Sequence, residues 1–152
     1  MNNKTTAQRT SFIFGLSWLI VLACLVGSFF IDFEKIILFQ IILGFILVLI
    51  ISVYYFGGYN YIEIEVEKKT GLNFRYYNLF PIGRKFKLYQ IPIKNLDRFE
   101  IRNYFGGFFS FIYLYEKSRK GIARYPGIGL SAVPKSRQKY ISSYLEKFLN
   151  NY

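Results

Sequence analysis

The chain has 152 residues, 53% of them hydrophobic, and a formal net charge of +11. With no histidine and a single cysteine, Cys24, it lacks the commonest general base, the commonest zinc ligand and any intrachain disulfide. That composition fits one membrane-embedded segment and one small domain, with no cofactor or metal expected.

Ser11 to Ile31 is an uncharged run of 21 residues, and Asp32-Phe33-Glu34-Lys35 separates it from a second run of 21, Ile36 to Phe56, interrupted only by the strongly polar Gln40. At 1.5 Å of rise per residue each run makes a helix of about 31 Å, against a hydrocarbon core of about 30 Å. Helices apolar on every side belong in lipid. The pattern predicts a transmembrane hairpin over residues 11–56, a tail over 1–10 and a domain over 57–152. Lys4 and Arg9 precede the hairpin and Lys68 and Lys69 follow it, whereas the connecting loop holds two acids and one base. Basic flanks stay inside, so the tail and the domain are expected in the cytoplasm.

Cys24 admits two readings. Lys4, Arg9, an apolar run and Val21-Leu22-Ala23-Cys24 loosely match a lipoprotein signal. Leu22 is bulky for such a signal, and Leu25, Val26, Phe29 and Phe30 continue the apolar run where a cleaved signal gives way to polar sequence. A plain transmembrane cysteine is the simpler reading.

In an antiparallel hairpin, residues whose numbers sum to about 67 face each other. Gly15 then meets Ser52, Ala23 meets Gly44, and Gly27 meets Gln40. Small residues opposite one another let helices approach closely, and Gln40 gains a partner across the seam. The alternatives are small residues scattered without meaning and a Gln40 turned to a partner helix. Tyr54, Tyr55, Phe56, Tyr59 and Tyr61 form an aromatic belt at the inner end. Gly57-Gly58 then reads as a short, pliable joint that keeps the domain against the membrane.

Tyr61–Glu67 alternates, with Ile62, Ile64 and Val66 on one face and three glutamates on the other, as a half-buried strand does. Leu72–Phe80 returns. Matching apolar faces places Val66 opposite Phe74, Ile64 opposite Tyr76 and Glu65 opposite Arg75, with Gly71 left-handed in a three-residue loop. Phe80-Pro81-Ile82-Gly83 is a turn. Strands follow near Arg84–Ile91 and Leu96–Arg102, then a turn at Phe105-Gly106-Gly107. Phe108–Tyr115 is apolar or aromatic except at Ser110, the mark of a strand covered on both faces, with the C-terminal helix, the bilayer surface or a partner protein as its second cover. A charged loop, Glu116–Gly121, precedes short strands near Ile122–Tyr125 and Ile128–Val133. After Pro134, the residues Tyr140, Ile141, Tyr144, Leu145, Phe148 and Leu149 form one stripe at helical spacing, an amphipathic helix closing the domain.

Seven short strands and a closing helix resemble a pleckstrin-homology-like barrel. Gly71-Leu72, Phe80-Pro81-Ile82-Gly83-Arg84 and Ile91-Pro92-Ile93, in that order, resemble bacterial membrane proteins that carry such a domain. The resemblance covers roughly Tyr59 to the end. It implies an α+β membrane protein of the bacterial inner membrane whose seven-stranded barrel is a binding or assembly module, not an enzyme.

Beyond the hairpin there are 17 Lys and Arg against 7 acids. Beside a bilayer this charge draws anionic headgroups, at about 1 kcal/mol per nearby base. No helix-turn-helix or ribonucleoprotein signature points to nucleic acid. Three clusters are candidate anion or headgroup sites. Lys68 and Lys69, with Arg75 nearby, occupy the first hairpin; phosphoinositide-binding relatives of this fold want a base where this chain has Asn73, and the plainer reading is a solvated turn with Arg75 paired to Glu65. Arg84, Lys85 and Lys87 form the second, with Lys85 and Lys87 on the face opposite Phe86 and Leu88. Lys135, Arg137 and Lys139 open the last helix, where positive charge opposes the macrodipole unless an anion sits there. The outward aromatics of the long apolar strand, Phe109, Phe111, Tyr113 and Tyr115, are the expected partner surface. These features favour an accessory or assembly subunit that binds a membrane or membrane-associated protein, with recognition of anionic lipid as the alternative.

Overall fold

Two long helices open the computed structural model, which describes residues 1–31, 34–67, 71–82, 84–118 and 121–150. Helix α1 spans Lys4–Gly27 and runs into a 3₁₀ turn at Ser28–Phe30; α2 spans Ile36–Phe56. Both are long and apolar enough to cross a membrane. Asp32 and Phe33 of the expected loop lie outside the described residues.

Residues 1–10 are not a free tail. The Asn3 N–H donates to Ile62 O at 3.2 Å and the Ile64 N–H donates to Met1 O at 2.8 Å, with Asn2 opposite Glu63. Buried Asn3 adds two side-chain bonds: its amide donates to Asn60 O at 3.0 Å and its oxygen accepts from the Ile62 N–H at 2.8 Å. The first three residues thus supply the partners that a strand edge otherwise lacks. Helix begins at Lys4 instead of Ser11, and Ala7 is buried beside Tyr54, Leu79 and Ala132.

The spans pack along stripes at helical spacing. Positions 7, 11, 14, 17, 21, 25 and 28 of the first and 36, 40, 43, 47, 50 and 54 of the second are among the less exposed ones, as are Gly27 and Gly44. Gln40 lies on its stripe, but Gly15, Ala23 and Ser52 do not. A Cβ built on Gly15, Gly27 or Gly44 would meet nothing within 4 Å, and the Ser52 hydroxyl donates to Val48 O of its own helix. Gly27 and Gly44 are half covered, as Gln40 is, but none of these glycines is in tight contact. Larger side chains set the spacing, foremost Phe14 stacked on Tyr54 with ring centroids 4.2 Å apart.

Among the described residues the domain has seven strands and a helix. Strands β1 (Asn60–Glu67), β2 (Gly71–Asn78) and β3 (Lys87–Ile91) form one antiparallel sheet in chain order; β4 (Leu96–Tyr104), β5 (Phe109–Ser118) and β6 (Gly121–Arg124) form a second, with β7 (Ile128–Gly129) also pairing β5. Helix α3 covers Lys135–Asn150. The α+β class holds. Among the described residues the strands form a three-stranded and a four-stranded sheet with no pairing between them, and no closed sheet is seen. They share one core: Ile62, Ile64, Leu72, Phe74, Ile91, Ile112, Leu114, Ile128, Leu130, Ile141 and Leu145. Each fully buried side chain of this kind contributes about 1.5–3 kcal/mol.

The first hairpin is shifted by two residues from expectation: Val66 faces Leu72, Ile64 faces Phe74 and Glu63 faces Arg75. A shift of two keeps every side chain on its face, so alternation alone cannot detect it. Gly71 is left-handed as expected, φ +96°, but it opens β2 opposite Glu67. A side chain there would also collide with Ile91 O. The third strand keeps Lys87 on the face opposite Leu88, as expected. Tyr89 and Ile91 turn to the core, Lys87 shares their face, and Phe86 and Leu88 are exposed. On α3, Ile141 and Leu145 are buried, whereas Tyr140 is 60% exposed and leaves the stripe.

The Gly57-Gly58 joint is packed, not pliable. The Ser131 hydroxyl donates to Gly57 O at 2.6 Å and the Asn78 amide donates to Tyr55 O at 3.1 Å. Gly58 (φ +72°) lies so close to Gly129 that a Cβ on Gly129 would collide with its backbone. Hairpin and domain meet here without a gap for slack.

Candidate functional site

Strand β5 carries two faces of different character. Ser110, Ile112 and Leu114 are buried inward. Phe109, Phe111 and Tyr113 point the other way and are only half covered, while Tyr115 is buried. Their cover is partial and local: Phe109 lies against Gly57 and Tyr59, and Phe111 against Gly58 and Tyr104. The C-terminal helix lies on the inward side with the core, so it is not the second cover of this strand. Between this face and the inner end of α2 runs a groove of about 480 Å³, lined by Val53, Phe56, Phe105, Phe109, Phe111 and Tyr113 among others. At its rim the turn Phe105-Gly106-Gly107 has positive φ at all three residues, 51° at Phe105. A bulky residue is strained there. The turn leaves Phe105 and Phe108 each 79% exposed.

The far end of this face holds a set of residues that the sequence reading missed. Arg98 stacks over Tyr115 at 4.6 Å, and Arg102 and Arg124 approach the Tyr113 ring at 5.4 and 4.2 Å. Arg102 donates to Glu100 at 2.9 Å, and the Tyr115 hydroxyl donates to the same carboxylate at 3.1 Å. These bonds hold Glu100 below its ordinary pKa, Arg102 foremost. The signal was present in the period-two alternation of Arg98, Glu100, Arg102 and Tyr104 along one strand face.

A second opening shares Phe56 and Phe111 with the first. This cleft, about 430 Å³, is lined by Tyr55, Phe56, Asn60, Tyr76, Asn78, Ile82, Lys85 and Lys87, with Phe111 and Gly129 on the opposite wall. Two members of the second basic cluster therefore meet in one cavity. The third, Arg84, is spent on the turn, donating to Leu79 O at 3.1 Å and Phe80 O at 3.3 Å. Lys87 sits 6.0 Å from the Tyr76 ring centre.

Of the other two clusters, the first is described only at Arg75. Lys68 and Lys69 lie outside the described residues, and Arg75 pairs with Glu65 at 3.9 Å, both half exposed and contributing little. Arg137 donates to Asn2 O at 3.1 Å, Lys135 reaches towards Gly107, and Lys139 is exposed, so the three do not converge. Cys24 is exposed on α1. Among the described residues no group of three or more His, Cys, Asp or Glu is placed to hold a metal. The arrangement offers apolar and cationic binding surfaces. No family model, curated protein or solved structure matches the chain.

Proposed function

We propose that this chain is a non-enzymatic module anchored in a bacterial inner (plasma) membrane by two spans, with its N-terminus and its pleckstrin-homology-like domain in the cytoplasm, and that it serves as an accessory or assembly subunit for a partner membrane protein. The seven strands and closing helix support the fold assignment, and the basic flanks of the hairpin support the orientation. The observation that carries the assembly role is the apolar groove running from Val53 and Phe56 on α2 to Phe109, Phe111 and Tyr113 on β5. Its occupant must be lipid-compatible at one end and tolerate Arg98, Arg102 and Arg124 at the other. A partner span lying beside α2, followed by an acidic segment along β5, meets both demands.

A photo-crosslinking amino acid in place of Phe109, followed by purification in mild detergent, tests this. The expected product is one membrane protein crosslinked in stoichiometric amount, weakened by Arg124→Glu. Crosslinks to lipid alone, with the chain eluting by itself, overturn the assembly role. A second function, recognition of anionic lipid headgroups, is supported by a separate observation, the convergence of Lys85 and Lys87 in the other cleft.

A further inference from the structure

The inner face of the first sheet changes character at its last rung. Along β1 the inward residues run Ile64, Ile62, Asn60; along β2 they run Phe74, Tyr76, Asn78; along β3 they run Ile91, Tyr89, Lys87. The apolar core therefore ends in two amides and an ammonium, at the end of the sheet away from the β1–β2 turn and beside Tyr55 and Phe56. The two amides differ. Asn78 is engaged, donating to Tyr55 O and accepting from the Phe80 N–H at 2.8 Å. Asn60 is only 7% exposed and lines the cleft, yet among the described residues its side-chain amide has no hydrogen-bond partner. Asn60 thus presents an amide to the cleft, able both to donate and to accept there. Lys85 and Lys87 also lack an acidic partner among the described residues. Tyr55, Phe56 and Ile82 form the cleft's apolar lip, level with the last turn of α2.

We propose that this cleft binds the headgroup of an anionic inner-leaflet glycerophospholipid, with the phosphate on Lys85 and Lys87, a headgroup hydroxyl on the Asn60 amide and the acyl chains leaving past Phe56 and Ile82. The assignment rests on the lipid-recognition reading and narrows it to one cavity and one set of donors. Ammonium groups take the phosphate charge, and a carboxamide both donates to and accepts from a hydroxyl. The lip explains why the ligand is a lipid: a soluble phosphate ester would leave the exposed Ile82 and Phe56 facing water.

The test uses the full chain in mild detergent, titrated with dihexanoyl phosphatidylglycerol, dihexanoyl phosphatidylcholine and glycerol 1-phosphate, with adducts counted by native mass spectrometry. Phosphatidylglycerol is expected to bind in preference to the other two. Lys85→Gln with Lys87→Gln should weaken it by roughly 30-fold, while Lys135→Gln with Lys139→Gln, equal in charge change, has little effect. Asn60→Leu, which keeps the position filled, should weaken it several-fold with an unchanged melting temperature. If phosphatidylglycerol is preferred but both lysine pairs weaken it equally, lipid recognition stands and this cleft is not its site. Equal binding of phosphatidylglycerol and phosphatidylcholine overturns both, and equal binding of glycerol 1-phosphate overturns the lipid as the source of the phosphate.

Discussion

The Tyr54 phenol, on the last turns of α2, donates a hydrogen bond to the main-chain oxygen of Leu79 in the domain, 2.9 Å away. It also shares a hydrogen bond with the Ser11 hydroxyl of α1 at 3.0 Å, and its ring stacks on Phe14 and meets Phe80 edge-on. One side chain thus fastens both spans to the sheet. Tyr54→Phe keeps the ring and loses the donor. Arg84 still reaches Leu79 O, so the cost should be about 1 kcal/mol, a drop of roughly 2–4 °C in melting temperature in detergent. Tyr54→Ala removes the stack as well and should cost about 3–5 kcal/mol. Equal losses for the two variants would show that the ring contributes nothing.

Asn3 is buried with its amide bonded at both ends to β1. Asn3→Ala strands the Ile62 N–H and the Asn60 oxygen and should destabilise the chain by about 2–3 kcal/mol. Hydrogen exchange at Ile62 and Ile64 should quicken accordingly, whereas exchange at Leu114 should hardly change. Arg137→Ala removes an exposed bond to Asn2 O and should cost under about 1 kcal/mol. Because both residues hold the same three-residue edge, the double variant should lose less than the sum.

Gly129→Ala places a methyl group into the backbone of Gly58. Neither chain can yield without undoing the Ser131 bonds to Gly57 and Gly58. The variant should lose several kcal/mol, about 3 or more, and a protease should cut between α2 and the domain where it does not in the parent. Gly106→Ala meets no atom within 4 Å and should suffer only the strain of its left-handed backbone, on the order of 1 kcal/mol.

Tyr125 donates to Glu116 at 2.6 Å, and this bond, with burial behind it, pushes its pKa up to about 12. A raised phenol pKa means that the folded chain keeps a proton the unfolded chain gives up from about pH 10 upward. Its contribution is therefore complete below pH 10 and is lost as pH rises towards 12. Stability should fall over that window, less steeply in Tyr125→Phe, and phenolate absorbance should lose a late-titrating component in the same variant. An unchanged titration curve would remove Tyr125 from this role.

What could be read in advance was whatever depends on near neighbours in the chain. Two uncharged runs of helical length, the alternation of Ile62, Ile64 and Val66, and the spacing of Ile141 and Leu145 each encode an element and its buried face, because burial repeats with the local period. The left-handed Gly71 was legible for the same reason. Period two cannot distinguish registers two residues apart, so the pairing of Ile64 with Phe74 needed the whole sheet. Nor does any local signal say that Met1–Asn3 will return to β1, that Gly58 will touch Gly129, or that Asn60 and Lys87, far apart in sequence, will end the same core face. Those contacts join segments whose separation along the chain carries no imprint in either segment alone. Only packing two sheets, a helix and the hairpin ends around a single core brings them together.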